Sequence, residues 1–197
     1  MKHHIIYLPG LADHSLRKYS QALLIRRWRT KFGIGTTFHT IGWKSKHQTF
    51  QQKLQKVLDR IDSLTAQGHT VSLFATSAGA TMAIHAFAAR PEAIHRVVVT
   101  CGALGRIEGV AQHIQDDNPA FTTAVKTLPQ AIAALSAKAR KRVLSIKPLS
   151  DTIVKLKYME IPGICYKTQP TNGHARSIIG SLTTYSDMVV DFIVSGK

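Results

Sequence analysis

A serine that could act as a nucleophile lies where a strand-like stretch changes into a helix-like one. Residues 71–84 begin with the apolar run Val-Ser-Leu-Phe-Ala, continue through Thr-Ser-Ala-Gly and end in a helical pattern. Ala75 and Gly79, two residues on either side of Ser77, allow a turn so tight that the serine is held strained and exposed. Its hydroxyl would then stand at the positive end of the helix, where developing negative charge is stabilised. Small residues are common at such turns, so this motif alone is a weak indication.

A serine nucleophile needs a base, and the base needs an acid that orients it. Asp151 follows the strand-like run 143–146, and His174 lies in a turn-rich loop after the strand-like run 163–166. Because the carboxyl ends of parallel strands meet at one edge of a sheet, we expect both residues to lie near Ser77. The alternatives are that Asp151 only caps the following helix and that His174 is a surface turn residue. The chain order serine, acid, histidine, each after its own strand, favours the catalytic interpretation.

Negative charge that develops on a substrate oxygen needs backbone N–H donors nearby. The run Leu-Pro-Gly-Leu follows the first strand-like stretch, and Gly10 permits a turn that aims the N–H of Leu11 at the site. The N–H of Ala78, next after the serine, is the second expected donor. The alternative is an ordinary strand-to-helix turn. His14 is a candidate for the substrate pocket, with helix capping or a solvated position as its alternatives.

Short apolar runs alternate along the chain with longer helical patterns, and these elements must position the candidate residues. The predicted strands are residues 5–8, 37–41, 71–75, 97–101, 143–146 and 163–166. The predicted helices are residues 15–30, 49–66, 78–89, 153–159 and 178–193, with a longer helical segment at 103–142. Continuous apolar strands separated by helices are typical of a parallel sheet covered on both faces. The sequence therefore predicts an α/β protein with a doubly wound, mostly parallel six-stranded sheet, in a single domain of residues 1–197.

The segment 103–142 is longer than one connecting helix requires. Pro119, preceded by a residue that can cap a helix, predicts one helix start, and Pro129 predicts a second. Two such helices would form a small lid inserted between strands, with Phe121 and Leu128 as candidates for the substrate pocket. The alternative is a crossover helix with one extra packing helix and no gating role, in which Phe121 and Leu128 belong to the core.

With this motif and this order of residues, the chain resembles a small member of the α/β-hydrolase superfamily, similar to its minimal esterases and lipases. The resemblance covers nearly the whole chain and implies a serine hydrolase without metal or cofactor. The roles that it implies are nucleophile for Ser77, acid for Asp151, base for His174, and oxyanion donor for Leu11 and Ala78. Two departures stand out. Ala75 replaces the first glycine of G-x-S-x-G, a change that some lipases and esterases share. Leu-Pro-Gly also replaces the frequent His-Gly before the oxyanion loop.

The chain is strongly basic, with 26 Lys and Arg against 11 Asp and Glu and a net charge of +15. Such a field attracts nucleic acid, anionic lipid or anionic substrates. Because no nucleic-acid-binding motif accompanies the charge, we expect no specific nucleic-acid recognition and only weak, nonspecific binding of polyanions.

The composition also limits the setting in which the protein works. Cys101 and Cys165 alone can build neither a zinc site nor a disulfide framework. The first residues lack the pattern of a secretory signal, and no uncharged apolar stretch approaches the ~18 residues of a membrane span. We therefore expect a cytoplasmic protein with no membrane span.

The sequence thus predicts hydrolysis of a small carboxylic ester or thioester through an acyl-enzyme on Ser77. The same three residue types also perform acyl transfer and amide cleavage on this fold, so the reaction subtype stays open. The alternative is a catalytically silent protein of α/β-hydrolase fold that uses its basic surface to bind anionic partners.

Overall fold

One parallel sheet of six strands lies at the centre of the structure, a computed structural model that describes residues 2–13 and 17–196. The strands are β1 (His3–Leu8), β2 (Gly35–Phe38), β3 (Thr70–Thr76), β4 (Ile94–Thr100), β5 (Val143–Ser150) and β6 (Cys165–Asn172). All neighbours are parallel, in the order β2-β1-β3-β4-β5-β6. The predicted α/β class is confirmed. The strands β1 and β3 lie side by side, so the loops that follow them flank the same crevice.

Helices cover both faces of this sheet. They are α1 (Arg17–Phe32), α2 (Phe50–Ala66), α3 (Gly79–Ala89), α4 (Gln112–Asp117), α5 (Pro119–Ala134), α6 (Ala137–Arg140), α7 (His174–Leu182) and α8 (Ser186–Ser195). Two 3₁₀ turns, Ile107–Gly109 and Leu156–Met159, complete the regular structure. The start of α2 is fixed by a capping box, in which Thr49 and Gln52 each accept the other's backbone N–H.

Each face of the sheet has its own apolar core. On one face, α2, α3 and α5 enclose buried side chains that include Trp43 and Phe87. On the other, α1, α7 and α8 enclose Trp28, whose ring stacks on Phe74 of β3 with 5.4 Å between centroids. Because both faces are covered, six of the seven residues of β3 are buried, and buried and exposed positions do not alternate along this strand.

The segment 103–142 differs from the two-helix prediction. The helix α5 begins at Pro119 as expected, but it continues through Pro129 to Ala134. Its apolar face packs against α2 and α3 on both sides of Pro129, and this burial outweighs the backbone hydrogen bond that a proline cannot make. The helix α5 is thus the crossover between β4 and β5, and the short helix α4 precedes it.

The C-terminal third also differs from the prediction. The helix expected at residues 153–159 is only the 3₁₀ turn Leu156–Met159, and the single helix expected at 178–193 is two helices, α7 and α8. The last strand extends to Asn172 rather than ending at residue 166. As a consequence, α7 begins directly after the sheet edge.

Within the described part of the chain, no single helix is long and apolar enough to cross a membrane. The pair formed by α7 and α8 reaches the required length and composition only when both are counted together, and it is bent by 57°.

Candidate active site

The turn between β3 and α3 holds Ser77 in a left-handed backbone conformation, with φ of 53°. Such a conformation costs a non-glycine residue on the order of 1–3 kcal/mol, so the surroundings must impose it. Two glycines make this possible. A Cβ on Gly79 would overlap the backbone oxygens of Leu8 and Pro9, and a Cβ on Gly10 would lie 2.9 Å from the Cβ of Ser77. The strained turn expected from the sequence is therefore present.

The three residues selected from the sequence come together at the carboxyl edge of the sheet. Nε2 of His174 lies 2.9 Å from Oγ of Ser77. Nδ1 of His174 lies 2.7 Å from Oδ2 of Asp151. When Nδ1 carries the proton and donates it to the carboxylate, Nε2 offers its lone pair to the serine hydroxyl. The arrangement can therefore accept a proton from Ser77.

Asp151 is held by the backbone that follows it. Its Oδ1 accepts the N–H of Ile153 at 2.8 Å and the N–H of Val154 at 3.0 Å, and its side chain has 0% exposure. Burial alone would raise the pKa of this carboxyl. The hydrogen bonds from His174, Val154 and Ile153 outweigh that effect, and the pKa of Asp151 lies below its ordinary value. The alternative that Asp151 only caps a following helix is wrong, because residues 152–154 are not helical and the 3₁₀ turn Leu156–Met159 has no side-chain cap. Oδ1 instead holds the backbone after the strand, and Oδ2 is left for His174.

His174 is the first residue of α7, where the sequence had suggested a turn-rich loop. The preceding Gly173 has φ of 87° and donates its N–H to the backbone oxygen of Ser150 at 2.9 Å. That bond ties the end of β6 to the end of β5, next to Asp151. The unexpected start of the helix therefore places the imidazole beside the carboxylate.

The two expected oxyanion donors flank the serine. Leu11 and Ala78 both line the cavity beside Ser77. Among the described residues, no hydrogen bond has the N–H of Ala78 as its donor. The loop that carries Leu11 is anchored by Asp13, whose Oδ2 accepts the N–H of Gly42 at 2.6 Å. His14, the other candidate in this loop, lies outside the described residues.

A largely apolar cavity of about 380 Å³ opens beside Ser77. This volume is near the lower end of the roughly 300–1,000 Å³ that is usual for ligand pockets. Its walls come from residues 103–114, from the first two turns of α5 and from residues 152–158. Phe121 lines it. Leu128 does not, because it lies ~10.5 Å further along α5, at 1.5 Å per residue, and is buried in the core.

Tyr158 is a cavity residue that the sequence analysis did not identify. Its backbone oxygen accepts the N–H of Leu104 at 2.9 Å, which joins two walls of the cavity. A Cβ on Gly105 would lie 2.6 Å from the Cβ of Tyr158, and a Cβ on Gly109 would lie 2.7 Å from its Cζ. The ring therefore lies against a stretch of backbone that has no side chains at these two positions. No periodicity in the sequence signals this contact.

Cys101 is a second residue that the sequence analysis did not place at the site. It follows β4, has φ of 51° and is fully buried. Its Sγ and one ligand atom each of Asp151 and His174 all lie within 4.8 Å of one another. Burial raises the pKa of this thiol, and the nearby Asp151 raises it further. Both ring nitrogens of His174 already lie within hydrogen-bonding distance of other partners, Asp151 and Ser77.

No protein-family model and no curated protein sequence matches the chain. Solved structures do resemble it. The monoacylglycerol lipase of Paleococcus ferrophilus has a TM-score of 0.63 at 15% identity, covering 98% of this chain and 95% of that one. A carboxylesterase of Nitrososphaera gargenis gives 0.65 at 12% identity, covering 100% and 92%.

A third structure, MGS-MChE2, is described as an alpha/beta hydrolase enzyme from a sediment metagenome of the Mar Chica lagoon. It has a TM-score of 0.64 at 15% identity, and the match covers 98% of this chain and 90% of that one. At such low identity these likenesses concern the fold. Together with the parallel sheet, its strand order and the helices on both faces, they show that the chain has the α/β-hydrolase fold.

Proposed function

We propose that the protein is a serine hydrolase that cleaves a small carboxylic ester or thioester through an acyl-enzyme on Ser77. The observation that carries the proposal is the 2.9 Å separation between Nε2 of His174 and Oγ of Ser77 at the mouth of an apolar cavity. A serine, a base within hydrogen-bonding distance and a buried acid behind that base are the parts that such chemistry requires.

In the first half of the reaction, Oγ of Ser77 forms a bond to the carbonyl carbon of the substrate and its proton passes to Nε2 of His174. The carbonyl electron pair moves to oxygen, where the N–H groups of Leu11 and Ala78 stabilise the negative charge. Asp151 stabilises the imidazolium that forms. Collapse of this intermediate breaks the bond to the alcohol or thiol, which leaves with the proton from Nε2.

In the second half, water takes the place of the leaving group. His174 accepts a proton from this water as its oxygen attacks the acyl carbon, and a second tetrahedral intermediate forms. Its collapse releases the carboxylic acid and returns the proton to Oγ of Ser77. No redox partner is needed, since the net reaction adds water across one bond.

The cavity supports an apolar group as one half of the substrate. Its walls include Phe121, Val110, Ile114 and Val125, side chains that favour hydrocarbon over charged groups. Several structures of the same fold are described as lipases or carboxylesterases, which is consistent with a small-molecule ester. Expectations of a cytoplasmic location and of no specific nucleic-acid recognition remain predictions.

The direct test is covalent labelling with a fluorophosphonate probe, which reacts with activated serines. We expect labelling at Ser77, identified by peptide mass spectrometry, and its loss in Ser77→Ala. The matched control is Ser63→Ala on α2, an exposed serine that does not line the cavity, which should label like the parent. If a folded parent protein fails to react, the alternative of a non-catalytic binding protein replaces this proposal.

A series of p-nitrophenyl esters with increasing acyl length then measures the size of the acyl group. Because the cavity is small, we expect kcat/KM to peak at short to medium chains and to fall once the chain exceeds the cavity. A rate that is independent of acyl length would contradict the assignment of the cavity to the acyl group.

A further inference from the structure

The segment between Asp151 and Tyr158 presents apolar side chains to solvent. We call residues 152–157 the mouth loop. Within it, Ile153 is 70% exposed and Leu156 is 36% exposed. Ile153 also lines both the cavity beside Ser77 and an open groove on the other side of His174. An exposed isoleucine therefore lies at the rim of the candidate active site. Only a binding partner could remove this side chain from water.

Basic side chains surround this apolar tip. Lys155 and Lys157 belong to the mouth loop and are exposed. Arg106 lines the cavity, Arg176 lines the groove, and Ile153 lines both. None of the described residues that line the cavity or the groove is acidic. Exposed acids in the adjoining segments offset part of this charge; they are Glu108, Asp116 and Asp117 before α5, and Glu160, which pairs with Lys147. The mouth loop itself contains no acidic residue. The mouth loop therefore combines positive charge with exposed hydrocarbon.

We infer that the mouth loop docks onto the surface of an anionic lipid bilayer, and that the ester cleaved at Ser77 is one that partitions into such a bilayer. Lysine and arginine side chains are attracted to anionic headgroups, and an apolar tip among them can enter the acyl boundary. Docking would place the mouth of the apolar cavity against the hydrocarbon from which the substrate comes. The substrate part of this inference rests on the proposed function, whereas the docking part does not.

Helix α1 forms a second basic surface, which serves as a control for general charge attraction. The helix α1 contains no acidic residue, and Tyr19, Leu23, Arg26 and Arg27 on it are exposed. This helix packs on the face of the sheet covered by α7 and α8, and it lines neither the cavity nor the groove. General attraction by the charge of +15 would involve α1 as much as the mouth loop. Docking through the mouth loop would not involve α1.

The test is co-sedimentation with phosphatidylcholine vesicles, with and without phosphatidylglycerol, in a Ser77→Ala background that prevents hydrolysis. Lys155→Glu changes the charge of the mouth loop by two units, and Arg26→Glu makes the same change on α1. At roughly fivefold per charge at an anionic surface, we expect Lys155→Glu to weaken binding by about 25-fold. Arg26→Glu should change it by about twofold or less, because the attraction decays within a Debye length.

Ile153→Ser separates the apolar contribution from the electrostatic one. We expect it to weaken binding to anionic vesicles without changing the salt dependence, whereas Lys155→Glu should reduce the salt dependence. Equal losses in Lys155→Glu and Arg26→Glu would overturn the inference in favour of general charge attraction. Equal binding to vesicles with and without phosphatidylglycerol would overturn it as well.

Activity separates this inference from the proposed function. With Ser77 restored, Lys155→Glu should keep kcat/KM on a water-soluble short ester and lose activity on an ester embedded in anionic vesicles. If the protein hydrolyses the soluble ester but does not bind vesicles, the docking inference is refuted and the proposed function is retained. Vesicle binding that follows the predicted pattern, with no hydrolysis of any ester, would remove the proposed function and the substrate part of the inference, and leave docking.

Discussion

Replacing Asp151 by asparagine tests the proposed mechanism closely, because the structure fixes the orientation of the new side chain. Oδ1 of Asp151 accepts backbone N–H groups from Ile153 at 2.8 Å and Val154 at 3.0 Å. An asparagine must keep its carbonyl oxygen there, since the reverse orientation would leave both donors facing an NH₂ group. Its NH₂ group then occupies the position of Oδ2, 2.7 Å from Nδ1 of His174. That group can only donate, so Nδ1 must accept and the proton moves to Nε2.

The magnitude follows from this change of tautomer. With its proton on Nε2, the imidazole cannot accept the proton of the Ser77 hydroxyl, 2.9 Å away. We expect kcat/KM to fall on the order of 10⁴-fold, or about 5.4 kcal/mol at 1.36 kcal/mol for each factor of ten. The cavity is unchanged, so the loss should appear in kcat rather than in KM.

The assay is steady-state hydrolysis of a short activated ester, with circular dichroism to confirm folding. Asp116→Asn is the matched control. Asp116 is an exposed acid on α4 that accepts from Gln112 at 2.8 Å, and its replacement should leave kcat/KM unchanged. Activity of Asp151→Asn within tenfold of the parent would refute the assigned role. A large loss in Asp116→Asn would point to a different orienting carboxylate.

Three further outcomes are expected. Ser77→Ala, His174→Ala and their double variant should show nearly the same residual kcat/KM, since neither residue has a catalytic role without the other; additive losses would contradict this. Phe121→Ala should change the preferred acyl length. Leu128→Ala should not change it but should cost about 2–5 kcal/mol of unfolding free energy in urea titrations, as is usual for core leucines. The pKa of Asp151 is lower in the folded protein than its ordinary value of 3.8, so its contribution to stability is present above that value and is lost as pH falls through the folded pKa. Melting curves should therefore show the parent losing stability faster than Asp151→Asn in strong acid, and parallel curves would contradict this.

The sheet and the proximity of Ser77, Asp151 and His174 could be predicted because their signals are local in the sequence. Each of the residues Ser77, Asp151 and His174 follows an apolar run, and a parallel sheet brings the ends of all such runs to one edge. The order of these residues along the chain, each after a strand, therefore indicated that they lie close together, although a single sequence contains no distances.

Where the predicted helix boundaries and cavity residues were wrong, tertiary packing determines the observed ones. Pro129 normally marks a helix start, but the buried face of α5 continues across it. Phe121 and Leu128 lie on similar faces of one helix, yet a cavity of about 380 Å³ reaches only the first two turns. Tyr158 lines the cavity because Gly105 and Gly109 leave room for its ring, a contact between segments about fifty residues apart that no local pattern reveals.

The sequence predicted the strained turn at Ser77 but not a second left-handed residue of the described chain, Cys101. Ser77 donates its N–H to the oxygen of Thr100, and Cys101 donates its N–H to the oxygen of Ile146. Each amide thus continues the ladder to the next strand while its φ of 53° or 51° turns the chain out above the sheet edge. A positive φ would ordinarily be assigned to the adjacent Gly102. That glycine is needed for a different reason, because a Cβ there would lie 2.9 Å from the Cβ of Ala80. Close packing with α3 fixes the glycine at 102, and the strain falls on Cys101, whose thiol thereby lies beside the acid and the imidazole.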